Sequence, residues 1–135
     1  MTLVVDASVA AKWFFQEAGS DQAQQLWDGG EPIHAPDLLL AELANVCWKR
    51  YRRGEIRLPQ AMQIIDTVRR LPLTLHDVGE LVSPALDVAC RLGLTVYDAV
   101  YLTLATTLPA RLATDDTQLA SACRRCKLEV VTLSD

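Results

Sequence analysis

Leu3-Val4-Val5-Asp6-Ala7-Ser8 decides the fold. Three apolar residues, two of them β-branched, read as a short strand; Asp6 stops it, and residues 7–15 follow as a helix that Asp6 or Ser8 can cap. The junction is a strand-to-helix turn with an acid at its apex.

The same alternation continues outward from this point. Gly19-Ser20-Asp21 breaks the chain and caps a second helix over 22–28, which Gly29-Gly30 stops. Ile33-His34-Ala35 is a second strand. Pro36-Asp37 opens a long apolar-rich helix, 38–53, closed by Gly54, and a further helix with Pro59 near its first turn runs to Arg70. Leu73-Thr74-Leu75 reads as a third strand, and a helix over 80–92 tolerates Pro84 in its first turn and ends at Gly93. Then come a helix over 97–108, a strand over 111–114, a helix over 117–125 and a last β-branched strand over 129–133. Strands alternating with helices predict the α/β class: a three-layer α/β/α sandwich around a parallel sheet of about five strands, with its site at the carboxyl ends of the strands. No repeat or linker divides the chain, so 1–135 is expected to be one domain.

Composition agrees with that reading. At 135 residues and half apolar, the chain can bury ~70% of the surface its unfolded form exposes. No apolar run approaches the ~20 residues of a membrane span, and the N-terminus lacks the basic, apolar and small-residue order of a signal peptide. A cytoplasmic protein with no membrane partner is therefore expected. Cys47, Cys90, Cys123 and Cys126 are expected as reduced thiols; Cys123 and Cys126 have C-x-x-C spacing, but no second pair completes a zinc site. The net charge of −4 argues at first against a nucleic-acid partner. With four acids assigned to a metal site, however, the remaining acids equal the 13 Lys and Arg in number.

Carboxylates carry the chemistry. Asp6 follows the first strand and Asp115-Asp116 the fourth, where an open α/β sheet gathers its ligands. Glu42 and Asp98 lie in apolar surroundings, Leu38-Leu39-Leu40-Ala41-Glu42-Leu43-Ala44 and Val96-Tyr97-Asp98-Ala99-Val100-Tyr101-Leu102, where a charge needs compensation. Taken singly, Asp6 and Asp98 read as N-caps, Asp115 and Asp116 as turn residues, and Glu42 as the polar edge of its helix. Together they read differently, because no basic residue stands three or four places from Glu42; Asn45 shares its helix face instead and can hold it by a hydrogen bond. Crowded carboxylates repel unless protonated or neutralised, and oxygen-only donors favour Mg2+, with Mn2+ as the other hard ion that suits them. His34 and His76 are isolated and read as structural, so the nucleophile is expected to come from a metal-bound water.

Four motifs carry a resemblance that covers essentially the whole chain: Val4-Val5-Asp6-Ala7-Ser8, Glu42-Leu43-Ala44-Asn45, Tyr97-Asp98-Ala99-Val100-Tyr101-Leu102 and Thr114-Asp115-Asp116-Thr117-Gln118-Leu119. In order and spacing the chain resembles the PIN domain, and specifically the VapC-type ribonuclease toxins of bacteria and archaea. The resemblance implies an Mg2+- or Mn2+-dependent endoribonuclease in which Asp6, Glu42, Asp98 and Asp116 form the acidic quartet. Ser8, Asn45 and Thr114 would orient ligands or substrate, and Asp115, an extra acid beside the better-matching Asp116, stands with that supporting group. An antitoxin partner and a homodimer are implied as well. A housekeeping PIN nuclease of RNA processing, or a non-catalytic binding module, is the alternative.

Two further features bear on partners. Lys49, Arg50, Arg52 and Arg53, interleaved with Trp48 and Tyr51, are candidates for gripping RNA or a partner protein, although cations at a helix C-terminus need no ligand. Trp13, Phe14 and Phe15 cannot all face one core, and Trp13 is expected at a dimer or antitoxin contact. A phosphorelay receiver would need an acidic pair after the first strand and a lysine ending the last; here a lone Asp6 follows the first, and Lys127 precedes the last. A haloacid-dehalogenase-type phosphatase would need an aspartate where Ser8 stands.

Overall fold

Leu3, Val4 and Val5 are all buried, and the strand they form accordingly sits at the middle of the sheet, covered on both faces. The structure, a computed structural model, describes residues 1–133. Its elements in chain order are β1 (Leu3–Val5), α1 (Ala7–Ala11), α2 (Ser20–Asp28), β2 (Ile33–Pro36), α3 (Leu38–Arg52), α4 (Leu58–Arg70), β3 (Leu73–His76), α5 (Val82–Leu92), α6 (Val96–Thr107), β4 (Arg111–Ala113), α7 (Thr117–Arg125) and β5 (Val130–Val131). The five strands form one parallel sheet in the order β3-β2-β1-β4-β5.

That order contains a reversal. From β1 the chain winds outward through β2 and β3, then returns across the sheet to β4 and β5 on the other side. Right-handed crossovers put α3 and α4 on one face and α5, α6 and α7 on the other. Packing agrees, with α3 against α1, α4 and β2, and α6 against α5, α7, β1, β2 and β4. The winding changes direction between β1 and β4, where such sheets leave a crevice at their carboxyl ends. Register sharpens this: Val5 is level with Ala113, so Asp6 and Thr114 come next, side by side.

α6 is the central helix of its layer. Every residue from Ala99 to Ala105 is buried, which fits a sequence apolar on nearly all sides. A second, smaller core of Ala11, Phe15, Leu43, Cys47, Ala61 and Val68 joins α1, α3 and α4. Among the described residues no single helix is long and apolar enough to cross a membrane.

Several boundaries differ from the sequence reading. α1 stops at Ala11 rather than at Phe15, because the N–H groups of Lys12, Trp13 and Phe14 bond three residues back, tightening the turn. Long-range bonds hold this exit: Trp13 Nε1 donates to Ala23 O and Lys12 Nζ to Ala18 O. The helix expected from Glu80 is a 3-10 turn over Val78–Glu80, capped by Asp77, followed by α5 from Val82 with Pro84 in its first turn. β5 ends at Val131, and the N–H of Leu133 bonds the Asp115 carboxylate at 2.8 Å instead of a neighbouring strand.

Candidate active site

Asp6 ends β1 and serves as the N-cap of α1, accepting from Val9 N–H at 3.2 Å. Ser8 Oγ donates to the same oxygen, Oδ1, at 2.6 Å, and Thr114 Oγ1 donates to the other, Oδ2. With three donors a carboxylate is ordinarily acidic, yet burial wins here. Asp6 is only 6% exposed, and its pKa is pushed from 3.8 up to about 6, chiefly by desolvation and further by the negative Glu42.

Glu42 projects from α3 half-buried, and the buried Tyr101 hydroxyl of α6 donates to its Oε1 at 2.5 Å. Desolvation again raises the carboxyl pKa against the pull of that bond. Asp98 lies one turn before Tyr101 on the same side of α6. Its backbone N–H is capped by Thr95 Oγ1 at 3.2 Å, but its carboxylate has no hydrogen-bond or ionic partner among the described residues. Burial, then Asp116, then Glu42 raise its pKa. Asp116, exposed, is the N-cap of α7 and accepts from Leu119 N–H at 2.9 Å. Its own N–H donates to Thr114 Oγ1 at 3.0 Å, so one hydroxyl ties the loop after β4 to Asp6.

The four acids expected from the sequence therefore feel one another across the crevice: Asp6 with Glu42, Glu42 with Asp98, Asp98 with Asp116. Among the described residues no cation lowers the pKa of Asp6, Glu42 or Asp98. Ser8 and Thr114 each support a carboxylate of this set by a hydrogen bond to Asp6. Asn45 does not, since it is exposed and makes no bond to Glu42 among the described residues. Tyr101 holds Glu42 instead. The sequence did carry a signal for it: a tyrosine three residues after Asp98 in an apolar helix needs a partner for its hydroxyl.

Asp115 faces different groups. Its Oδ1 accepts from Leu133 N–H and its Oδ2 pairs with Lys12 Nζ at 3.2 Å, while its own N–H donates to Ser8 Oγ at 3.0 Å. Lys12, also paired with Glu17, was not singled out in the sequence. Asp115 thus anchors the segment after β5 beside the site. Trp13 is half-buried against Trp27, with ring centroids 4.8 Å apart. Arg50 is engaged by Glu17 at 2.8 Å and stacks on Phe15, whereas Lys49, Arg52 and Arg53 are exposed. His34 and His76 are not isolated; their rings stack, with Nδ1 and Nε2 2.7 Å apart.

The residues present suit a hard divalent cation. All four donors are carboxylate oxygens, the Asp98 carboxylate lacks an internal partner, and three of the four acids are destabilised in their charged form. Among the described residues no three His, Cys, Asp or Glu side chains are drawn together tightly enough to hold a metal by themselves. A wide acidic set is what Mg2+ uses, since that ion keeps several waters and takes only one or two carboxylates directly. The cysteines are free, Cys47 and Cys123 buried, Cys90 and Cys126 exposed, and none belongs to such a cluster.

Residues 3–125 match the PIN domain family. The chain is 37% identical to Ribonuclease VapC3 of Pyrobaculum aerophilum over 122 residues, 89% of this chain and 93% of that protein. Among solved structures it resembles VapC20 of Mycobacterium tuberculosis, a Sarcin-Ricin loop cleaving toxin, with a TM-score of 0.72 and 17% identity over 90% of this chain and 95% of that one. It also resembles a chain of VapBC2 from Rickettsia felis bound to a DNA fragment of its promoter, with a TM-score of 0.67 and 15% identity over 98% of each chain.

Proposed function

Because the chain belongs to the PIN-domain family, we propose that it is an endoribonuclease of the VapC kind, hydrolysing RNA phosphodiester bonds with Mg2+ or Mn2+ as the toxin of a toxin–antitoxin pair. One observation carries the reading: Asp6, Glu42, Asp98 and Asp116, from four separate stretches of chain, couple electrostatically where the sheet reverses its winding, with no cation to offset Asp6, Glu42 or Asp98 among the described residues. The names of the Pyrobaculum and Mycobacterium proteins support RNA as the substrate.

In this reading one or two of the four carboxylates would hold the ion directly and the others through its waters. When bound, it would supply a more acidic, positioned water as nucleophile and would stabilise charge on the phosphoryl and leaving oxygens. Thr114 and Ser8 fix both oxygens of Asp6, and because Oδ1 also accepts from Val9 N–H, Oδ2 is the oxygen with capacity left for an ion or its water. Tyr101 immobilises Glu42 through one oxygen, and Asp98 keeps both of its oxygens available for a water or an ion. Thr114 also holds the backbone of Asp116, so a single hydroxyl sets the spacing of two acids.

An antitoxin and a second copy of the chain belong to the same proposal, as does a cytoplasmic location. The VapBC2 neighbour supports the antitoxin. An apolar groove between α3 and α4, with Trp48, Tyr51, Leu58 and Met62 exposed and Lys49, Arg52 and Arg53 nearby in sequence, suits a protein partner.

The test is cleavage of a pool of structured RNAs by the purified protein with Mg2+, Mn2+ or EDTA, beside Asp98→Asn. We expect cutting with either ion, none in EDTA, and a fall of about a hundredfold or more in the variant. Cleavage that survived both chelation and the substitution would refute the metal–carboxylate mechanism.

A further inference from the structure

One large side chain beside the acids has no role in holding them. Tyr97 opens α6 immediately before Asp98, and it is 62% exposed although its helix is otherwise the most deeply buried in the molecule. Consecutive residues of a helix point about 100° apart, so the exposed Tyr97 ring flanks the partnerless Asp98 carboxylate rather than sharing its face.

A cleft opens along α7, the helix that Asp116 caps. One wall is the 92–94 turn that leads into α6, where Gly93 adopts a left-handed φ of 71° and ends α5. The other is the outer face of α7, with Thr117 directly after Asp116, then Gln118, Ser121 and Arg125. Thr117, Ser121 and Arg125 recur every fourth residue, so they form one row about 12 Å long leading away from the acids. Neither wall carries an acid, in a chain whose net charge is −4. Arg125 Nη2 donates to Leu92 O at 3.0 Å, which fixes the guanidinium across the cleft; its other N–H groups have no partner among the described residues.

We propose that this cleft takes the RNA strand on one side of the phosphate that is cut. The sugar–phosphate backbone lies along Thr117, Gln118, Ser121 and Arg125, and the base next to the cut stacks on Tyr97. Hydroxyl, amide and guanidinium donors suit phosphate and 2′-hydroxyl oxygens, and an aromatic face accepts any unstacked base. The substrate class is therefore unpaired RNA, a single strand or a loop, rather than a regular duplex. The inference rests on the ribonuclease reading above and adds to it which surface beside the acids the strand follows.

The experiment measures binding of a fluorescent, unstructured RNA 12-mer, and of the same sequence as a duplex, in the Asp98→Asn background that prevents cutting. Parent Asp98→Asn is compared with the same protein also carrying Tyr97→Ala, Tyr97→Phe or Arg125→Gln. Tyr97→Ala is expected to weaken single-strand binding about tenfold, Tyr97→Phe to restore it, and duplex binding to stay unchanged. Arg125→Gln is expected to reduce the dependence of log affinity on log salt by about one, a change that loss of a purely structural contact would not produce. If Tyr97→Ala binds the 12-mer as tightly as its parent, the cleft is not the strand's path and its surface serves a protein partner; cleavage by the unmodified protein would then leave the ribonuclease reading standing. If the unmodified protein neither binds nor cuts RNA, both readings fall together.

Discussion

Thr114 carries an unusual share of the site for a residue that takes no part in the chemistry. Its hydroxyl donates to Asp6 and accepts from the Asp116 N–H, so the two acids that end β1 and precede α7 share one support. Asp6 itself is held against a strong electrostatic penalty. Its carboxyl pKa is pushed from 3.8 up to about 6, so the folded protein binds that proton more tightly than the unfolded chain does. Between about pH 4 and about pH 6, raising the pH must therefore cost the metal-free protein stability, by about 3 kcal/mol from this group once the window is passed. Glu42 and Asp98, raised by burial as well, act in the same direction. Urea denaturation in EDTA from pH 4 to 7, for the parent and for Asp6→Asn, measures this. The parent should lose stability relative to the variant across that window, and parallel profiles would contradict the assignment.

At the scale of elements, the caps of α1, α6 and α7 place the acids. Thr95 caps α6 by accepting from the Asp98 N–H, and Thr95→Ala is expected to lower stability by about 1 kcal/mol, read as a downward shift of the thermal midpoint. An unchanged midpoint would mean that packing of the buried helix alone sets its start. Strand and helix identities were legible in the sequence because short β-branched runs alternate with helical periods, and glycine marks the ends. Boundaries fixed by distant contacts were not. Nothing local in residues 12–15 announces that Ala23 and Ala18 carbonyls end α1, nor does residue 133 announce its bond to Asp115. The acidic quartet was legible through its position at strand ends and through charge set in apolar runs. Tyr101 in place of Asn45, and the anchoring bonds of Asp115, needed the register of α3 against α6 and of β5 against β4.

For the molecule as a whole, the order β3-β2-β1-β4-β5 sets Asp6 and Asp116 after neighbouring strands, and Glu42 of α3 and Asp98 of α6 join them electrostatically. Like charges there oppose the fold, so a divalent ion should stabilise everything at once. Addition of Mg2+ or Mn2+ at about a hundred times its dissociation constant is expected to contribute about 2.7 kcal/mol, seen as a rise in thermal midpoint that EDTA reverses and that Asp98→Asn diminishes. A midpoint indifferent to either ion would show that the carboxylates do not hold it. The reversal between β1 and β4 has a temporal consequence as well. During synthesis the first strand, which carries one acid, cannot be enclosed until β4 has left the ribosome and threaded in beside it. Up to that moment the growing polypeptide has no crevice in which its acids can meet.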